Sequence, residues 1–174
     1  MLKKFIIITF SFLLYFNSAI SNDLKIVYVD IDKIINESDV GKDITRQLED
    51  LNNKNIKKFK EKEKTLENEE KKIIKQKNIL AKEEFEKKVI LLQKNVRNFK
   101  KEINTSRINL DKKRLEATAK ILNVLNPILS EYSVKNSISL IMQKKNIVIG
   151  KSDLDKTSEI LKLVNAKIKS VKVK

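Results

Sequence analysis

Residues 42–126 read KDITRQLEDLNNKNIKKFKEKEKTLENEEKKIIKQKNILAKEEFEKKVILLQKNVRNFKKEINTSRINLDKKRLEATAKILNVLN, 85 positions without a glycine or a proline. The chain has two glycines and one proline, and Gly41, Pro127 and Gly150 all lie at or beyond the edges of this stretch. Because the stretch lacks both helix breakers and is filled with Lys, Glu, Leu, Ile and Asn, it predicts helix. One straight helix of this length would reach about 125 Å. A small protein is not expected to hold such a rod alone, so we expect the stretch to fold back on itself.

The spacing of apolar residues divides the stretch into two arms. The first seam is dense at its start and then keeps about one apolar residue per heptad: Ile44, Leu48, Leu51, Phe59, Leu66, Ile73 and Leu80. The second seam alternates steps of four and three: Val89, Leu92, Val96, Phe99, Ile103, Ser106, Leu110, Lys113 and Ala117. Such spacing is typical of a coiled coil. We predict an antiparallel helical hairpin over residues 39–132, with its tip between Lys77 and Glu86.

Pro127 falls inside the apolar pattern of the second arm. The helix either kinks there or stops at Asn126 and restarts with proline in its first turn. A kink is favoured, because Ile128, Leu129 and Tyr132 keep the helical spacing.

The segment before the hairpin predicts a strand and a short helix. Residues 26–29 are consecutive β-branched or aromatic residues, which is typical of a strand covered on both faces. Residues 31–37 predict one or two helical turns, and Ser38 with Asp39 predict the cap of the first long helix. Asp30 and Asp32 follow the strand, where catalytic acids do occur. With no third acid or histidine nearby, capping is the favoured role.

The segment after the hairpin predicts two strands and a helix. Residues 137–142 predict a strand, residues 143–146 a turn, and residues 147–149 a second strand, so the pair predicts a β-hairpin. Ser152, Asp153 and Asp155 precede a last helix, as caps do. The apolar face of this helix comprises Ile160, Leu161, Val164 and Ile168.

The two ends together predict an α+β protein whose small body assembles with copies of itself. Residues 22–38 and 133–174 amount to about 60 residues, a size at which stability is marginal. We therefore predict an oligomer in which these bodies merge and the helical arms project. The predicted oligomer contacts are Ile26, Val27, Tyr28, Val29, Ile138, Leu140, Ile141, Ile147, Val148 and Ile149.

Residues 1–21 predict a secretory signal peptide. A basic start over residues 1–4 precedes an apolar run of 12 residues and a small, polar segment ending at Ser21. The alternative is a signal anchor, but 12 residues fall short of the roughly 20 that span a bilayer. We predict cleavage before Asn22 and a periplasmic protein. The chain has no cysteine and no histidine, which excludes sites built on either residue.

The net charge of +15 favours acidic polypeptides, anionic lipid headgroups or nucleic acid as partners. Of the 38 basic residues only four are arginine. Since arginine supplies most specific phosphate and base contacts, and no interleaved aromatics offer base stacking, nucleic acid is disfavoured. The carboxylates are mostly glutamates interleaved with lysine, and no phosphate-binding GxxxxGK[ST] run is present. We predict no enzyme activity and no cofactor.

The outer part of the hairpin predicts a binding surface for unfolded, acidic chains. Residues 54–88 hold 13 lysines against 8 glutamates, a net charge of +5. A charge-rich arm with little core is expected to bend at its end. Some apolar residues are predicted to line a concave inner surface between such arms. The predicted binding residues are Phe59, Lys71, Lys72, Lys75, Lys77, Phe85, Lys87, Lys88 and Phe99.

Motifs at both ends carry a family resemblance over essentially the whole exported chain. They are an exported leader, Lys25-Ile-Val-Tyr-Val-Asp30, Ile34-Ile-Asn-Glu-Ser38, Gly41-Lys42, and residues 138–142, 147–150 and 152–157. With the long Lys/Glu hairpin between them, the sequence resembles the Skp (OmpH) family of periplasmic chaperones. The resemblance implies a homotrimer with three hairpins around a cavity. It also implies an ATP-independent holdase that binds unfolded outer-membrane proteins there and prevents their aggregation. No motif matching a lipopolysaccharide-binding patch is found.

Two other functions fit the residues. One is a structural coiled-coil protein of the envelope without clients, and the other is an exported polyanion-binding protein.

Overall fold

The computed structural model describes residues 24–173. The predicted signal peptide lies outside these residues. In chain order the elements are β1 Ile26–Val29, α1 Ile31–Glu37, α2 Asp39–Lys75, α3 Lys82–Lys135, β2 Leu140–Gln143 and α4 Thr157–Lys167. Short 3-10 turns occupy Lys144–Asn146 and Ser152–Leu154. The predicted α+β class with one long helical hairpin is confirmed.

Helices α2 and α3 pack against each other along the arm and run antiparallel. Asn55 meets Ser106, Lys58 meets Glu102 and Gln76 meets Lys88, so residue numbers rise along one helix as they fall along the other. The predicted seam of α3 lies at least partly buried against α2, except for Ile103, which is exposed. No helix among residues 24–173 is both long and apolar enough to cross a membrane.

The turn between the arm helices spans residues 76–81. Most of this turn lies within the predicted range from Lys77 to Glu86, but that range extends too far along the chain, because Lys82 to Glu86 already belong to α3. Glu83 and Glu84 occupy the first turn of α3, where acidic side chains stabilise the positive end of a helix. That pair was the missed signal for the helix start.

Helix α3 continues through Pro127 to Lys135. Proline has no amide hydrogen to donate, so the helix lacks one backbone hydrogen bond at that point. The alternative of a stop at Asn126 is therefore wrong, and the helix continues as the favoured interpretation requires, while the kink at Pro127 stays a prediction.

The described strands form one parallel pair. Ile26 pairs with Leu140 and Val29 with Gln143, so β1 and β2 run in the same direction. On the other side of β1, Tyr28 bridges Asp155, and the Lys156 amide donates to the Tyr28 carbonyl at 2.9 Å. The whole arm therefore serves as the crossover that a parallel pair requires.

The predicted hairpin of residues 137–142 and 147–149 is wrong. The strand begins later, at Leu140, since Ser137 takes a left-handed conformation (φ 53°) that turns the chain after α3. Residues 147–149 form no strand, and a 3-10 turn over Lys144–Asn146 separates them from β2. A short apolar run does not reveal by itself whether it pairs.

The core lies where the base of the arm meets β1, α1 and α4. Its fully or nearly buried residues are Val29, Ile34, Val40, Ile44, Leu48, Ala117, Ile121, Leu125, Ile128, Ile160 and Val164. Ile160 and Val164 confirm the predicted apolar face of the last helix, and half-buried Leu161 and Ile168 pack beside them. The first turns of α2 and the last turns of α3, which form the base of the arm, are thus fixed to the body.

Side-chain caps start α1 and α2 as predicted. The Lys33 amide donates to Asp30 Oδ1 at 2.9 Å, and the Gly41 amide donates to buried Ser38 Oγ at 3.1 Å. Each bond satisfies an amide that a helix start leaves without a partner. The favoured role of Asp30 as a cap is confirmed.

Candidate functional site

Two predicted aromatic residues meet inside the arm. The rings of Phe59 and Phe99 lie edge to face, with centroids 6.0 Å apart and planes at 68°. Phe99 is buried, and the Lys62 ammonium lies 5.9 Å from its ring centroid. Phe85 is half-buried at the start of α3. Both central phenylalanines therefore hold the two helices together.

A polar layer next to the aromatic pair sets the register of the arm. Asn55 Nδ2 donates to Ser106 Oγ at 2.8 Å. Glu102 accepts from both Lys58 and Lys62 across the seam. Hydrogen bonds from these two lysines lower the pKa of Glu102 from 4.5 to about 2. The carboxylate is therefore charged at any physiological pH.

Packing thins along the arm and leaves a groove. Between Leu48 and Ala117, Phe99 is the one buried apolar residue in the described structure. Beyond it a groove of about 670 Å³ opens between the helices. Its apolar lining is Leu66, Leu92, Val96, Phe99 and Ile103, and charged residues such as Glu67, Glu70, Arg97 and Lys100 surround it. We call this the arm groove.

Exposed aliphatic residues along the arm are the feature that the sequence prediction missed. They are Ile56, Ile74, Ile79, Ile90, Leu91, Ile103, Ile108 and Leu115. Ile56 and Ile74 are 18 residues apart, as are Ile90 and Ile108. That spacing is about five helical turns, so each pair lies on one side of its helix. All of these positions except Ile103 lie outside the predicted heptad seam, and that was the available signal.

The predicted lysines gather near the tip of the arm. Lys71, Lys72 and Lys75 are exposed on the last turns of α2, and Lys77 is exposed in the turn. Lys87 is exposed near the start of α3. Lys88 is half-buried and donates to Gln76 Oε1 at 2.9 Å, so it ties α3 to the end of α2. The structure thus brings most of the predicted cations together on solvated surface.

The predicted oligomer contacts divide by burial. Four are buried within the subunit, namely Val27, Tyr28, Val29 and Ile138, and three are half-buried, namely Ile26, Ile141 and Ile147. Leu140, Val148 and Ile149 are exposed, the last two by 98% and 90%. Met142 is exposed on the same face of β2 as Leu140. We call Leu140, Met142, Val148 and Ile149 the exposed body residues.

Hydrogen bonds to β1 hold the segment that follows the exposed body residues. Tyr28 donates from its hydroxyl to the Lys151 carbonyl at 3.0 Å, and the Asp30 amide donates to Thr157 Oγ1 at 2.9 Å. Burial alone would raise the pKa of Asp155, but hydrogen bonds from Lys144 and Thr157 lower it below its usual value. The segment after the exposed body residues is therefore fixed to the strand.

Comparison with protein families identifies the chain. The model of one family, outer membrane protein (OmpH-like), matches residues 25–164. The chain belongs to the OmpH-like family. The resemblance found in the sequence is thereby confirmed at the level of the family.

A solved structure shares the fold of this OmpH-like chain. It is a crystal structure of a candidate outer membrane chaperone (OmpH-like) from Caulobacter crescentus CB15, 16% identical in sequence. The match covers 91% of this chain and 94% of the other, with a TM-score of 0.80. None of the curated proteins compared with the chain matches it.

The chemistry of the OmpH-like chain is that of a contact surface. Across residues 24–173 no group of three acids, histidines or cysteines is placed to hold a metal ion. The arm instead offers ammonium groups, exposed aliphatic side chains and a shallow groove. In general, ammonium groups attract acidic side chains, and exposed aliphatic groups gain free energy when apolar surface is buried against them.

Proposed function

We propose that this OmpH-like protein is an ATP-independent periplasmic chaperone that binds unfolded outer-membrane proteins and prevents their aggregation. The observation that best supports the proposal is the difference in side-chain burial between the base and the outer part of the arm. Its base is packed into the core, whereas its outer part holds exposed aliphatic residues and clustered lysines around a thin seam. Membership of the OmpH-like family supports the same role.

The exposed aliphatic residues supply the affinity for unfolded chains. Burying apolar surface contributes about 25 cal/mol per Å², so each isoleucine or leucine adds a small amount. Several such contacts on one arm act together and raise the overall affinity without any single strong site. Because each contact is weak, the client leaves when a better partner takes its apolar segments, and no ATP is needed.

The lysines of the outer arm attract acidic clients electrostatically before the two chains touch. The outer arm carries a net charge of +5, and charges act over roughly 8–10 Å at physiological salt. Acidic clients are therefore drawn toward the tip before apolar contacts form. The same charge is compatible with anionic lipid headgroups as secondary partners.

Three copies of the chain form the binding cavity in this proposal. A two-stranded sheet is marginal alone, and an edge strand with exposed apolar residues favours pairing with another chain. The exposed body residues lie on and just after β2. Residues 22–38 and 133–174 act as the trimerising body, and the hairpin over residues 39–132 projects as the arm. Three arms then enclose one client, as the family resemblance implies.

Light scattering tests the proposed function. A urea-unfolded outer-membrane β-barrel protein is diluted into buffer without nucleotide, and we expect stoichiometric chaperone to suppress its aggregation. The triple variant Ile74→Ser, Ile90→Ser, Leu91→Ser removes exposed aliphatic groups without touching the core, so suppression should fall. The matched control is Asn53→Ser, Asn98→Ser, Asn104→Ser, three exposed polar positions on the same arm. No suppression by the unaltered chain would favour a structural envelope protein without clients.

A competition in salt separates the chaperone from a polyanion-binding protein. Binding to the unfolded barrel protein and to nucleic acid is measured at increasing salt. We expect the barrel protein to bind better at physiological salt, since phosphate contacts weaken steeply with salt. A preference for nucleic acid there would support the polyanion alternative.

A further inference from the structure

Residues 168–173, which we call the tail, form an extended segment against the base of the arm. Helix α4 ends at Lys167, and Ile168 already has strand-like torsions (φ −134°, ψ 123°). Ile168, Val171 and Val173 pack against the core, whereas Lys169, Ser170 and Lys172 are exposed. The family match ends at residue 164, so this tail lies beyond the matched region.

One side chain of α2 holds the tail by its backbone. Gln47 Nε2 donates to the Val171 carbonyl at 2.9 Å, and the Val173 amide donates to Gln47 Oε1 at 3.0 Å. In an extended strand the carbonyl of one residue and the amide two residues later lie on the same edge. The single carboxamide therefore pairs with the tail as a neighbouring strand would.

The carboxamide is fixed in the orientation that this pairing needs. Gln47 Nε2 also donates to Asp43 Oδ2 at 2.8 Å, and Asp43 in turn pairs with Arg46. Both amide hydrogens and the carbonyl oxygen of Gln47 are thus used. Ile44 and Leu48, on the same helix, are buried in the core beside it. We call the place formed by Gln47 and the core surface under the tail the tail cleft.

The contacts of the tail cleft depend on few features of the tail's sequence. Beside Gln47 it contacts backbone atoms and apolar side chains at the same two positions, Val171 and Val173, and the third apolar residue of the tail, Ile168, packs against the core at its start. Any extended segment with apolar residues two apart presents the same groups. Strands of outer-membrane β-barrels have this pattern, because their residues alternate between lipid and lumen.

We propose that the tail cleft is a binding site for extended segments with alternating apolar residues, and that the chain's own tail occupies it as a tethered ligand. This deepens the proposed chaperone function and rests on it for the identity of the client. A tether of a few residues gives the tail a local concentration on the order of millimolar. The cleft is therefore closed at rest, and a client strand binds there by displacing the tail.

Fluorescence anisotropy tests the tail cleft with two labelled peptides. One has the tail sequence Ile-Lys-Ser-Val-Lys-Val-Lys, and the other, Thr-Asn-Thr-Val-Thr-Val-Asn, keeps only its two valines. In the full-length variant Val171→Ser, Val173→Ser the tail loses its apolar contacts while Gln47 remains. We expect both peptides to bind this variant about tenfold or more tighter than they bind the unaltered chain, because the tethered competitor is weakened.

A second variant separates a binding site from a merely structural contact. Adding Gln47→Met to the tail variant removes the backbone pairing at similar volume, and peptide binding should be lost again. If the tail only stabilises the fold, neither variant will bind peptide. Binding of the tail peptide alone would also overturn the proposal, since the cleft would then serve only its own tail.

The unaltered chain provides a measurement that does not depend on variants folding. Excess tail peptide should displace the tail, and the NMR signal of the Val173 amide should move toward its unfolded position. An unmoved signal at saturating peptide would contradict the proposal.

Light scattering with the unfolded barrel protein is run in parallel, so that failure of the tail cleft and failure of the chaperone function can be told apart. Peptide binding without suppression would count against the chaperone function, and suppression without peptide binding would count against the tail cleft alone.

Discussion

At the scale of single residues, the base of the arm depends on the close approach of α1 and α2 at Gly41. A Cβ added there would lie 1.8 Å from the Ile35 carbonyl oxygen and 3.1 Å from Ser38 Oγ. The backbone of α1 cannot move away without disturbing Ile34, which is fully buried. Glycine is therefore required at position 41 because there is no room for a Cβ atom, and not because of its backbone torsion angles.

Replacing Gly41 with alanine should destabilise the protein. Helix propensity alone would predict a gain of about 1 kcal/mol, but the overlap with Ile35 should cost more than about 2 kcal/mol net. Urea denaturation followed by circular dichroism measures the change in unfolding free energy. Lys42→Ala, at the next and exposed position, is the control and should change little. A Gly41→Ala variant as stable as the unaltered chain would show that α1 and α2 separate easily.

Glu102 gives the arm a pH dependence of definite sign. Its pKa in the folded chain is about 2, below the ordinary value of 4.5, so the folded state favours the charged form. The contribution is therefore complete above about pH 4.5 and is lost as the pH falls from there toward 2. We expect the Tm difference between the unaltered chain and Glu102→Gln to shrink over that interval. A difference that stays constant from pH 6 to pH 2 would contradict the hydrogen bonds from Lys58 and Lys62.

At the scale of elements, the arm and the body differ in how well their sequence predicted them. The helices follow from an apolar period sustained over many turns, and Phe59 and Phe99 meet as the seams require. The strands are only four residues long. Over so few residues a buried strand and an exposed extended segment look alike, and the pairing of β1 with β2 depends on contacts 114 residues apart.

Only those features of the candidate site that depend on composition could be predicted from the sequence. Net charge is visible in composition, so the cluster of lysines near the tip was predictable, whereas their role in binding stays a prediction. The exposed aliphatic residues, apart from Ile103, stand outside the seam, and composition does not show that they remain uncovered. Nothing in the sequence indicates that Gln47 pairs with Val171 and Val173, because the contact joins residues more than 120 positions apart.

Neutralising the tip of the arm should weaken client capture mainly at low salt. The variant Lys71→Gln, Lys72→Gln, Lys75→Gln, Lys77→Gln removes four positive charges near the turn. Because the attraction is screened within roughly 10 Å at 0.1 M salt, the association rate should fall several-fold at low salt and little at high salt. Stopped-flow fluorescence with a labelled unfolded barrel protein measures this association rate.

The control for that experiment removes the same charge from the body. Lys145, Lys151, Lys162 and Lys169 are all exposed, and changing them to glutamine leaves the arm intact. Equal loss of rate in both variants would mean that overall charge, and not the tip of the arm, attracts the client.

At the scale of the whole molecule, the proposed trimer accounts for apolar surface that a single subunit leaves uncovered. Val148 and Ile149 are almost fully exposed, although the residues around them are held to β1. Exposed apolar residues that are fixed in place are typical of an interface. Ile138 differs from them, because it is buried within its own subunit.

The two kinds of predicted oligomer contact should respond differently to aspartate. Val148→Asp with Ile149→Asp should give folded single subunits, since neither side chain supports the subunit core. Ile138→Asp should unfold the subunit itself, because a buried unpaired carboxylate is costly. Sedimentation reports assembly and circular dichroism reports folding. Assembly that survives the Val148 and Ile149 changes would place the interface elsewhere.

The most direct test of the account is the mass of the assembly with and without a client. Sedimentation equilibrium is run on the chain from Asn22 onward, alone and after mixing with a urea-unfolded outer-membrane barrel protein, without nucleotide. The account predicts a species of three copies alone, and a species heavier by one barrel chain after mixing. A single subunit, or an assembly of three whose mass does not change when the barrel protein is added, would contradict it.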